Sequence, residues 1–553
     1  MAFKRIGAVT FLVAAVIVSL PSRAGNATGA LRFEWKSLPV RLEHGEVSAR
    51  HVPATMAGGI AVFDYNRDGR PDIFFTNGAN LSTLKKDDPK YRNRLFRNDA
   101  AGVFTDVTEK AGVGGTGFDT GAAVGDYDND GYPDLFVAGV HHSTLYHNNG
   151  DGTFSDVSAR AGLNRPDTQF GPLWAITGVW MDVNNDGLLD LFIVNYLQWD
   201  FATEPLCEYK GAADYCSPRS YKGLPNQLFL NKGGGTFEDV SAAWGVRAQI
   251  GKGMGGGMAD YDRDGLPDIF VTNYGSYNFL FHNTGTKFEE VGFPAGVALV
   301  EDGNFISGMG LDFRDFDNDG YPDIAFVALE KQTFPLFKNF AGKQFREVTS
   351  TSSMRTASLS KAGFGAGLYD LDNDGWKDLF VSRGDVLSRP MPGTATNQHN
   401  SVFRNLGASG KWEALTSEAG LDAAPPGRHR GLAFGDLDGD GRVDVVTTAL
   451  GAQAEIWMNR SAGSGHWLDI VLVGSKSNRD GIGATVKVTT KSGVQYNHMT
   501  TSVGYASSSC GPVHFGLGPD DAAQEIEIRW PSGFVQTLKT VPGDRVLTVK
   551  EAQ

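Results

Sequence analysis

An all-β fold is predicted by three regularities of this 553-residue sequence. A nine-residue acidic loop recurs seven times, at steps that range from 55 residues (Asp315 to Asp370) to 78 residues (Asp182 to Asp260). Short β-branched and aromatic runs flank each loop, and most repeats contain a further pair of alternating runs. Four short strands in a repeat of this length are typical of a β-propeller blade. We therefore expect a seven-bladed β-propeller with a calcium loop in each blade, although eight blades stay open because a blade can lack its loop.

The acidic loop is clearest in Asp126-Tyr-Asp128-Asn-Asp130-Gly131-Tyr-Pro-Asp134. Carboxylates stand at positions 1, 3, 5 and 9, and glycine stands at position 6. Calcium takes about six to eight oxygen ligands, and a glycine lets the chain turn sharply beneath the ion. The ligands predicted for loops 1 to 7, in chain order, are Asp64, Asn66, Asp68 and Asp72; Asp126, Asp128, Asp130 and Asp134; Asp182, Asn184, Asp186 and Asp190; Asp260, Asp262, Asp264 and Asp268; Asp315, Asp317, Asp319 and Asp323; Asp370, Asp372, Asp374 and Asp378; and Asp436, Asp438, Asp440 and Asp444.

Two other interpretations of the loops fit the sequence less well. An EF-hand needs a glutamate at position 12 and flanking helices. Position 12 here lies in predicted strands and is occupied by Phe75, Val137, Ile193, Val271, Phe326, Val381 and Thr447. Simple turn formation by Asp, Asn and Gly would explain one or two loops, but not seven in a fixed register. The sequence therefore predicts strand–loop–strand sites for about seven Ca²⁺ ions, in which the aspartate at position 9 replaces the glutamate.

The charge balance fits such sites. The net charge is −14, which seven divalent cations would neutralise. No basic stripe is visible along the chain, so a nucleic-acid partner is not expected.

The N-terminus has the pattern of a secretory signal peptide, which we place at residues 1–24. Lys4 and Arg5 precede an apolar run from Ile6 to Leu20, and Ser22-Arg23-Ala24 ends it with a cleavage-type pattern. This run is short for a membrane span, which needs about 20 residues, and no later stretch is apolar enough. The mature protein is expected to be exported, to the periplasm or outside the cell.

The predicted domains follow from where the repeat stops. Residues 25–460 form the predicted propeller, in which the segment before Asp64 and the strand around Ile456-Trp457 complete one blade together. A linker at Ser461–Gly465 leads to residues 466–551, whose alternating pattern predicts a small β-sandwich or barrel. Glycine lies five residues before the first aspartate of six loops, which suggests inner strands that approach one another closely. These glycines are Gly59, Gly121, Gly255, Gly310, Gly365 and Gly431.

The longest step between loops contains an aromatic insertion at residues 199–221. Cys207 and Cys216 lie within it with eight residues between them, and export would permit a disulfide. Loops that depart from a rigid repeat often carry binding function. The tripeptide Arg383-Gly384-Asp385 matches an integrin ligand, but a tripeptide can match by chance and this one follows a predicted strand, so no function is predicted from it.

The repeats resemble FG-GAP/VCBS repeats, as in the integrin α-subunit propeller. The tail segments Asn478-Arg-Asp-Gly-Ile-Gly483-Ala, His514-Phe-Gly-Leu-Gly518 and Trp530-Pro-Ser-Gly533 resemble the ASPIC and UnbV domain. Together they resemble bacterial relatives of cartilage acidic protein over nearly all of the mature chain. The resemblance implies a secreted calcium-binding propeller, and it implies no reaction.

Two functions are compatible with these features. The first is an exported calcium-binding propeller that binds a protein or glycan partner, as an adhesion module. The alternative is a calcium-dependent enzyme with a site at the mouth of the propeller channel or under the 199–221 insertion. The sequence contains no His-Glu-x-x-His, Gly-x-Ser-x-Gly or Walker motif, and no catalytic residue is assigned.

Overall fold

A computed structural model describes residues 30–552, except 101, 164, 390–392 and 464. The predicted signal peptide, residues 1–24, lies outside the described residues. Strands dominate and helices are short, which confirms the predicted all-β class. No helix in the described part is long and apolar enough to cross a membrane.

The repeat region forms seven sheets within the described residues, each with four antiparallel repeat strands. We number the sheets 1 to 7 after the loop that each contains. The first strands, in sheet order, are Ile60–Phe63, Asp119–Gly125, Ala175–Met181, Gly253–Ala259, Leu311–Arg314, Gly363–Tyr369 and His429–Gly435. The second strands are Asp72–Phe75, Asp134–Gly139, Asp190–Asn195, Asp268–Asn273, Asp323–Phe326, Asp378–Arg383 and Asp444–Ala449. The third strands are Arg94–Ala100, Ser143–Asn148, Gln227–Asn231, Phe279–Asn283, Leu336–Phe340, Ser401–Asn405 and Gln453–Asn459.

The fourth strand comes from the same repeat in six sheets and from the other end of the chain in the seventh. Sheets 1 to 6 use Val103–Asp106, Phe154–Asp156, Phe237–Asp239, Phe288–Glu290, Gln344–Glu347 and Trp412–Leu415. In sheet 7 the N-terminal strand Phe33–Arg41 pairs with Gln453–Asn459, with Trp35 opposite Trp457. The predicted joining of the N-terminal segment to the strand around Ile456-Trp457 is confirmed.

The sheets pack against one another in order. The first strand of each sheet contacts the first strands of the sheets before and after it, and the first strand of sheet 1 contacts that of sheet 7. Side chains of the second strands point alternately toward the two neighbouring sheets. In sheet 2, Leu135 and Val137 pack with Phe63, whereas Phe136 packs with Val179. The apolar core is therefore divided among the spaces between sheets.

In the described part of the chain, four short α-helices and five 3-10 turns lie between strands. The helices are Thr108–Ala111, Ser158–Ala161, Gly292–Ala295 and Met354–Ser358. The 3-10 turns are Val52–Thr55, Pro89–Tyr91, Pro218–Ser220, Val246–Ala248 and Gly407–Ser409. The 199–221 insertion adds a small hairpin of Cys207–Tyr209 and Ala212–Asp214, and Leu224–Pro225 pairs with Ile250–Gly251.

The tail forms two further sheets that share one buried core. One contains Val513–Gly518, His466–Val473 and Arg545–Lys550, in that order. The other contains Val494–His498, Thr485–Thr489, Ala522–Arg529 and Val535–Pro542. Buried Ile470, Val486, Phe515 and Ile528 belong to the same cluster of the core.

A hairpin of the tail leaves this domain and enters the repeat region. Its strands are Ser502–Val503 and Ser507–Cys510, and Ser507–Cys510 pairs in parallel with the first strand of sheet 1. The hairpin also bonds to other sheets, since Gly504 exchanges backbone hydrogen bonds with Leu311 and the Ala506 carbonyl accepts from Ala122 at 3.0 Å. It therefore lies among the first strands of several sheets.

Close approach of backbones explains the glycines before the loops. A Cβ atom on Gly59 would lie 2.2 Å from the carbonyl oxygen of Ala506 and 2.8 Å from that of Thr120 in sheet 2. The predicted crowding of the first strands is present, and the tail hairpin contributes to it.

Candidate metal-binding loops

All seven acidic loops lie at the same position, between the end of a first strand and the start of a second strand. One side-chain oxygen of the aspartate at position 1 accepts the N–H of the glycine at position 6, at 2.6–2.9 Å. One oxygen of the aspartate at position 9 accepts the N–H at position 2, at 2.9–3.3 Å. These bonds curl every loop around its own carboxylates.

The aspartate at position 3 supplies a less satisfied oxygen. In four loops its Oδ1 atom is buried and has no hydrogen-bond partner among the residues that the structure describes; these are Asp128, Asp317, Asp372 and Asp438. A buried carboxylate oxygen without a partner is unfavourable unless a cation or water satisfies it. Their recurrence at one position shows that the loops fit a cation at a common place.

Carboxylates converge in these loops. In loops 2, 4 and 5, oxygen atoms of three aspartates lie within 4.8 Å of one another, as in the group of Asp315, Asp317 and Asp323. Several acidic clusters could thus hold a metal ion. In loops 2 and 4, His147 and His282 also lie within such groups. Carboxylate oxygens at this density suit a hard cation such as Ca²⁺.

The electrostatics of the loops favour a bound cation. Burial, together with the neighbouring Asp64 and Asp68 carboxylates, raises the pKa of Asp72 to about 8. Burial also raises the pKa of Asp134 and Asp268 to about 7. Burial raises the pKa of Asp190 well above its usual range. A divalent cation would stabilise the charged form of these groups.

Basic side chains from the third strands, or just after them, reach several loops. Arg404 lies 2.6 Å from Asp372, and Arg460 lies 2.7 Å from Asp438. Equivalent positions hold His147, His282 and Lys338, which contact the carboxylates of loops 2, 4 and 5. Loop 3 has Leu230 at this position, and its aspartates form no ion pair within the described part of the chain. The loops therefore differ in how much positive charge the protein itself supplies.

Comparison with known families accounts for these repeats. The model of the FG-GAP-like repeat matches residues 64–137, 126–193, 211–271, 260–326, 315–381 and 370–447. The model named ASPIC and UnbV matches residues 474–553. The chain belongs to the FG-GAP-like repeat family and carries an ASPIC and UnbV domain.

Three similar proteins are named cartilage acidic protein 1. The Xenopus tropicalis protein is 24% identical over 89% of this chain and 73% of its own length. The Homo sapiens protein is 24% identical over 89% of this chain and 71% of its own length. The Mus musculus protein is 27% identical over 64% of this chain and 51% of its own length.

Solved structures are more distant. An Agrocybe aegerita lectin that recognises non-reducing terminal N-acetylglucosamine has a TM-score of 0.39 and 14% identity, over 72% of this chain and 87% of its own. BBS1N in complex with ARL6DN has a TM-score of 0.42 and 10% identity, over 78% of this chain and 99% of its own. At this level of similarity nothing about a ligand passes from these proteins to the FG-GAP-like chain.

The FG-GAP-like loops are joined to one another by an asparagine that sequence reasoning did not assign to the site. It lies within the last three residues of the third strand of every sheet, and its N–H donates to the aspartate at position 9 at 2.7–2.8 Å. Its side-chain amide donates to the backbone carbonyl at position 2 of the preceding loop, at 2.7–2.9 Å. The seven residues are Asn98, Asn148, Asn231, Asn283, Asn339, Asn405 and Asn459. Their recurrence near the end of each third strand is the sequence feature that could have identified them.

The ASPIC and UnbV domain lies against the loops. Asp480 accepts the N–H of Asp126 at 2.8 Å, and its charge adds to the burial that raises the pKa of Asp126 to about 8. The side chain of Asn129 accepts the N–H of Arg479 at 2.7 Å. Lys377, in loop 6, donates to the carbonyl of Tyr496 at 2.8 Å. Loops 2 and 6 are therefore partly covered by the tail.

The structure shows the state of the cysteines and of the tripeptide Arg383-Gly384-Asp385. Cys207 and Cys216 form the predicted disulfide, with an S–S distance of 2.03 Å. Cys510 is free and partly buried. Arg383 and Asp385 are buried, at 8% and 4% exposure, so the tripeptide that they frame is not presented as a surface ligand.

Proposed function

We propose that this chain is an exported, calcium-binding, seven-bladed β-propeller that acts as a binding module for a protein or glycan partner. FG-GAP-like repeats suggest a propeller-type binding module. The observation that carries the calcium assignment is the recurrence of one loop geometry seven times, with a buried and unpartnered oxygen at position 3 of four loops.

Closure of seven blades into a ring is supported by two cyclic sets of interactions. The first strand of sheet 1 contacts that of sheet 7, and the N-terminal strand completes sheet 7. The amide of Asn98 in sheet 1 donates to the carbonyl of Leu437 in loop 7 at 2.8 Å, as each later asparagine does to the loop before it. We assign residues 25–460 to this propeller and residues 466–551 to the tail domain.

Positions 1, 3, 5 and 9 of each loop are the proposed Ca²⁺ ligands. A bound ion would neutralise carboxylates that otherwise repel one another, and binding to the folded state alone stabilises that state by mass action. Open extracellular sites of this kind bind Ca²⁺ with dissociation constants of about 10⁻⁴–10⁻³ M. Because no basic side chain competes there, loop 3 is expected to bind more tightly than loop 5, in which Lys338 contacts Asp317 and Asp319.

Export is supported by the Cys207–Cys216 disulfide. Structural disulfides form and persist in oxidising compartments, and these are also the places where weak Ca²⁺ sites fill. The proposed location is therefore the periplasm or the outside of the cell.

Ion counting tests the calcium assignment. The purified mature protein is dialysed against millimolar Ca²⁺, and bound metal is measured by elemental mass spectrometry. The wild type is expected to hold about seven ions, and the double variant Asp182→Asn/Asp190→Asn to hold one fewer. A matched control, Asp521→Asn/Asp544→Asn, removes two exposed carboxylates of the tail and should hold the wild-type number. A wild type without Ca²⁺, or a loop variant with no loss, would overturn the assignment.

A further inference from the structure

A cavity of about 490 Å³ lies at the ends of the sheets opposite to the acidic loops. The loops join the ends of first strands to the starts of second strands, whereas this cavity is lined by residues at the other ends. Tyr196, Tyr274 and Asp385 follow second strands; Met254 lies at the start of a first strand, and Met309 precedes one. Its volume is within the range of about 300–1,000 Å³ that small-ligand sites occupy.

The insertion forms part of the cavity wall, and the tail hairpin contacts one of the lining residues. Its wall includes Tyr215 to Arg219 of the insertion, next to the Cys207–Cys216 disulfide. Beneath it lies the tail hairpin, where the hydroxyl of Tyr505 donates to the carbonyl of Met56, a lining residue, at 3.0 Å. The repeats and the insertion therefore line the pocket, and the tail hairpin contacts one of its lining residues.

Several polar groups of the lining have unused hydrogen-bonding capacity. Asp385 is 4% exposed, and its Oδ1 atom accepts the N–H groups of Val386 and Leu387 at 2.6 and 3.3 Å. Its Oδ2 atom has no hydrogen bond among the described residues, and neither has the hydroxyl of Tyr196, which is 1% exposed. Buried groups of this kind are normally satisfied, so a ligand or water is expected to meet them.

The donors and acceptors are mixed. The side-chain oxygen of Gln332 accepts the N–H of Ser307 at 2.8 Å, which leaves its amide nitrogen as a donor. Arg219, at the exposed rim, forms no ion pair within the described residues. Asp385 supplies an acceptor, and the Tyr196 hydroxyl can act as either. Hydroxyl-rich ligands, whose groups both donate and accept, match such a lining.

The charges around the cavity disfavour a charged ligand. An organic cation would meet Arg219, and the buried guanidinium of Arg430 lies behind the lining, where it donates to the carbonyl of Asp385. An anion would meet the carboxylates of Asp385 and Glu330. Tyrosine and methionine side chains supply the apolar surface against which a sugar ring can pack.

From these observations we propose that the cavity binds a neutral saccharide, one or two rings in size, such as the end of a glycan chain. This inference rests on the proposed binding function and names its ligand class. Asp385 accepts hydrogen bonds from sugar hydroxyls, and Gln332 and Arg219 donate to them. The Tyr196 hydroxyl completes the set.

The test uses the full mature protein in millimolar Ca²⁺. Glucose, galactose, mannose, N-acetylglucosamine, maltose, cellobiose and lactose are screened by saturation-transfer NMR, with choline and glucuronic acid as charged comparisons. The affinity of a bound sugar is then measured by isothermal titration with four variants. Asp385→Asn turns the free acceptor into a donor, and Tyr196→Phe removes the free hydroxyl. Asp302→Asn and Tyr277→Phe are the controls, because both residues are exposed and outside the cavity.

A neutral sugar should bind, with a loss of at least tenfold in Asp385→Asn and at least threefold in Tyr196→Phe, and no change in the controls. The proposal is overturned if no neutral sugar binds, if only a charged compound binds, or if both cavity variants keep the wild-type affinity. If Asp385→Asn does not fold, Tyr196→Phe decides. Bound Ca²⁺ is counted on the same wild-type sample, so that failure here is distinguished from failure of the calcium-propeller assignment.

Discussion

The side-chain amide of Asn98 donates to the backbone carbonyl of Leu437 at 2.8 Å, although 339 residues separate them in the chain. The bond joins sheet 1 to the acidic loop of sheet 7. The same bond recurs in each of the remaining pairs of consecutive sheets, for example from Asn148 to Tyr65. The loops, each a candidate cation site, are therefore linked to one another through buried asparagines.

Removing one of these asparagines should destabilise the fold. Asn148→Ala deletes buried hydrogen bonds to Tyr65 and Pro133 at 2.8 and 3.1 Å and leaves both carbonyls unsatisfied. We expect a loss of about 2–3 kcal/mol in the free energy of unfolding, measured by urea denaturation. The adjacent Asn149 is exposed, so Asn149→Ala is the matched control and should change stability by less than about 0.5 kcal/mol. Equal effects of the two substitutions would contradict the linking role.

The close approach at Gly59 gives a second prediction. An alanine there would place its Cβ atom against the Ala506 and Thr120 carbonyls, so Gly59→Ala should cost about 1–3 kcal/mol of stability. Gly493→Ala is the control, because no atom lies within 4 Å of a Cβ at that position. Denaturation midpoints of the two variants are compared; a Gly59→Ala variant as stable as Gly493→Ala would show that the hairpin does not pack as described.

The disulfide should contribute to stability through the loop that it closes. Cross-linking a loop of this length restricts the unfolded chain, which stabilises the folded state by about 2–3 kcal/mol. The free energy of unfolding of the variant Cys207→Ser/Cys216→Ser is therefore expected to be about 2–3 kcal/mol lower, and the variant should unfold at a lower denaturant concentration. Reductant should lower the stability of the wild type toward that of the variant and leave the variant unchanged. A wild type that is insensitive to reductant would argue against the bond.

His498 predicts a dependence on pH. It is buried, its Nε2 atom lies 3.0 Å from the carbonyl oxygen of Met258, and burial lowers its pKa to about 3. The nearby charges of Arg314 and Lys377 contribute to this lowering of the pKa. The unfolded chain takes up a proton below pH 6.5, while folded His498 stays neutral. The unfolded state then binds more protons, so the contribution of His498 is complete above pH 6.5 and is lost as the pH falls toward 3.

By pH 5 this loss is about 2 kcal/mol in the free energy of unfolding. Urea denaturation at pH 7 and pH 5 measures it in the wild type and in His498→Gln, which retains a donor for Met258. The variant should lose about 2 kcal/mol less than the wild type between the two pH values. Identical losses would mean that His498 titrates equally in the folded and unfolded states.

Most of the fold could be predicted from local sequence patterns. The period-2 runs beside each loop located the second strands, because an aspartate at position 9 begins each of them, as Asp134 does. The disulfide followed from two cysteines in one short insertion. The linking asparagines were visible as a recurrence, but their partners lie in another repeat, as with Asn231 and Tyr127. Sequence spacing carries no information about such contacts.

The tail hairpin could not be predicted for a related reason. Residues 502–510 are mostly small and polar, and such a stretch is typical of an exposed turn. Their burial depends on serine side chains that bond to first strands, as Ser508 does to Val124 at 3.1 Å. The cavity was anticipated only as a region, the channel mouth or the insertion, and residues of the insertion do line it.

Thermal unfolding with and without calcium tests the central claim most directly. The mature protein is heated in millimolar Ca²⁺ and in excess chelator, at the same pH and ionic strength, and the midpoint is followed by circular dichroism. If the loops bind Ca²⁺ in the folded state, the midpoint should rise by more than about 10 °C with calcium, because several sites each contribute through mass action. Magnesium at the same concentration should give a smaller rise, since it fits flexible carboxylate loops less well. Equal midpoints in calcium and chelator would contradict the account.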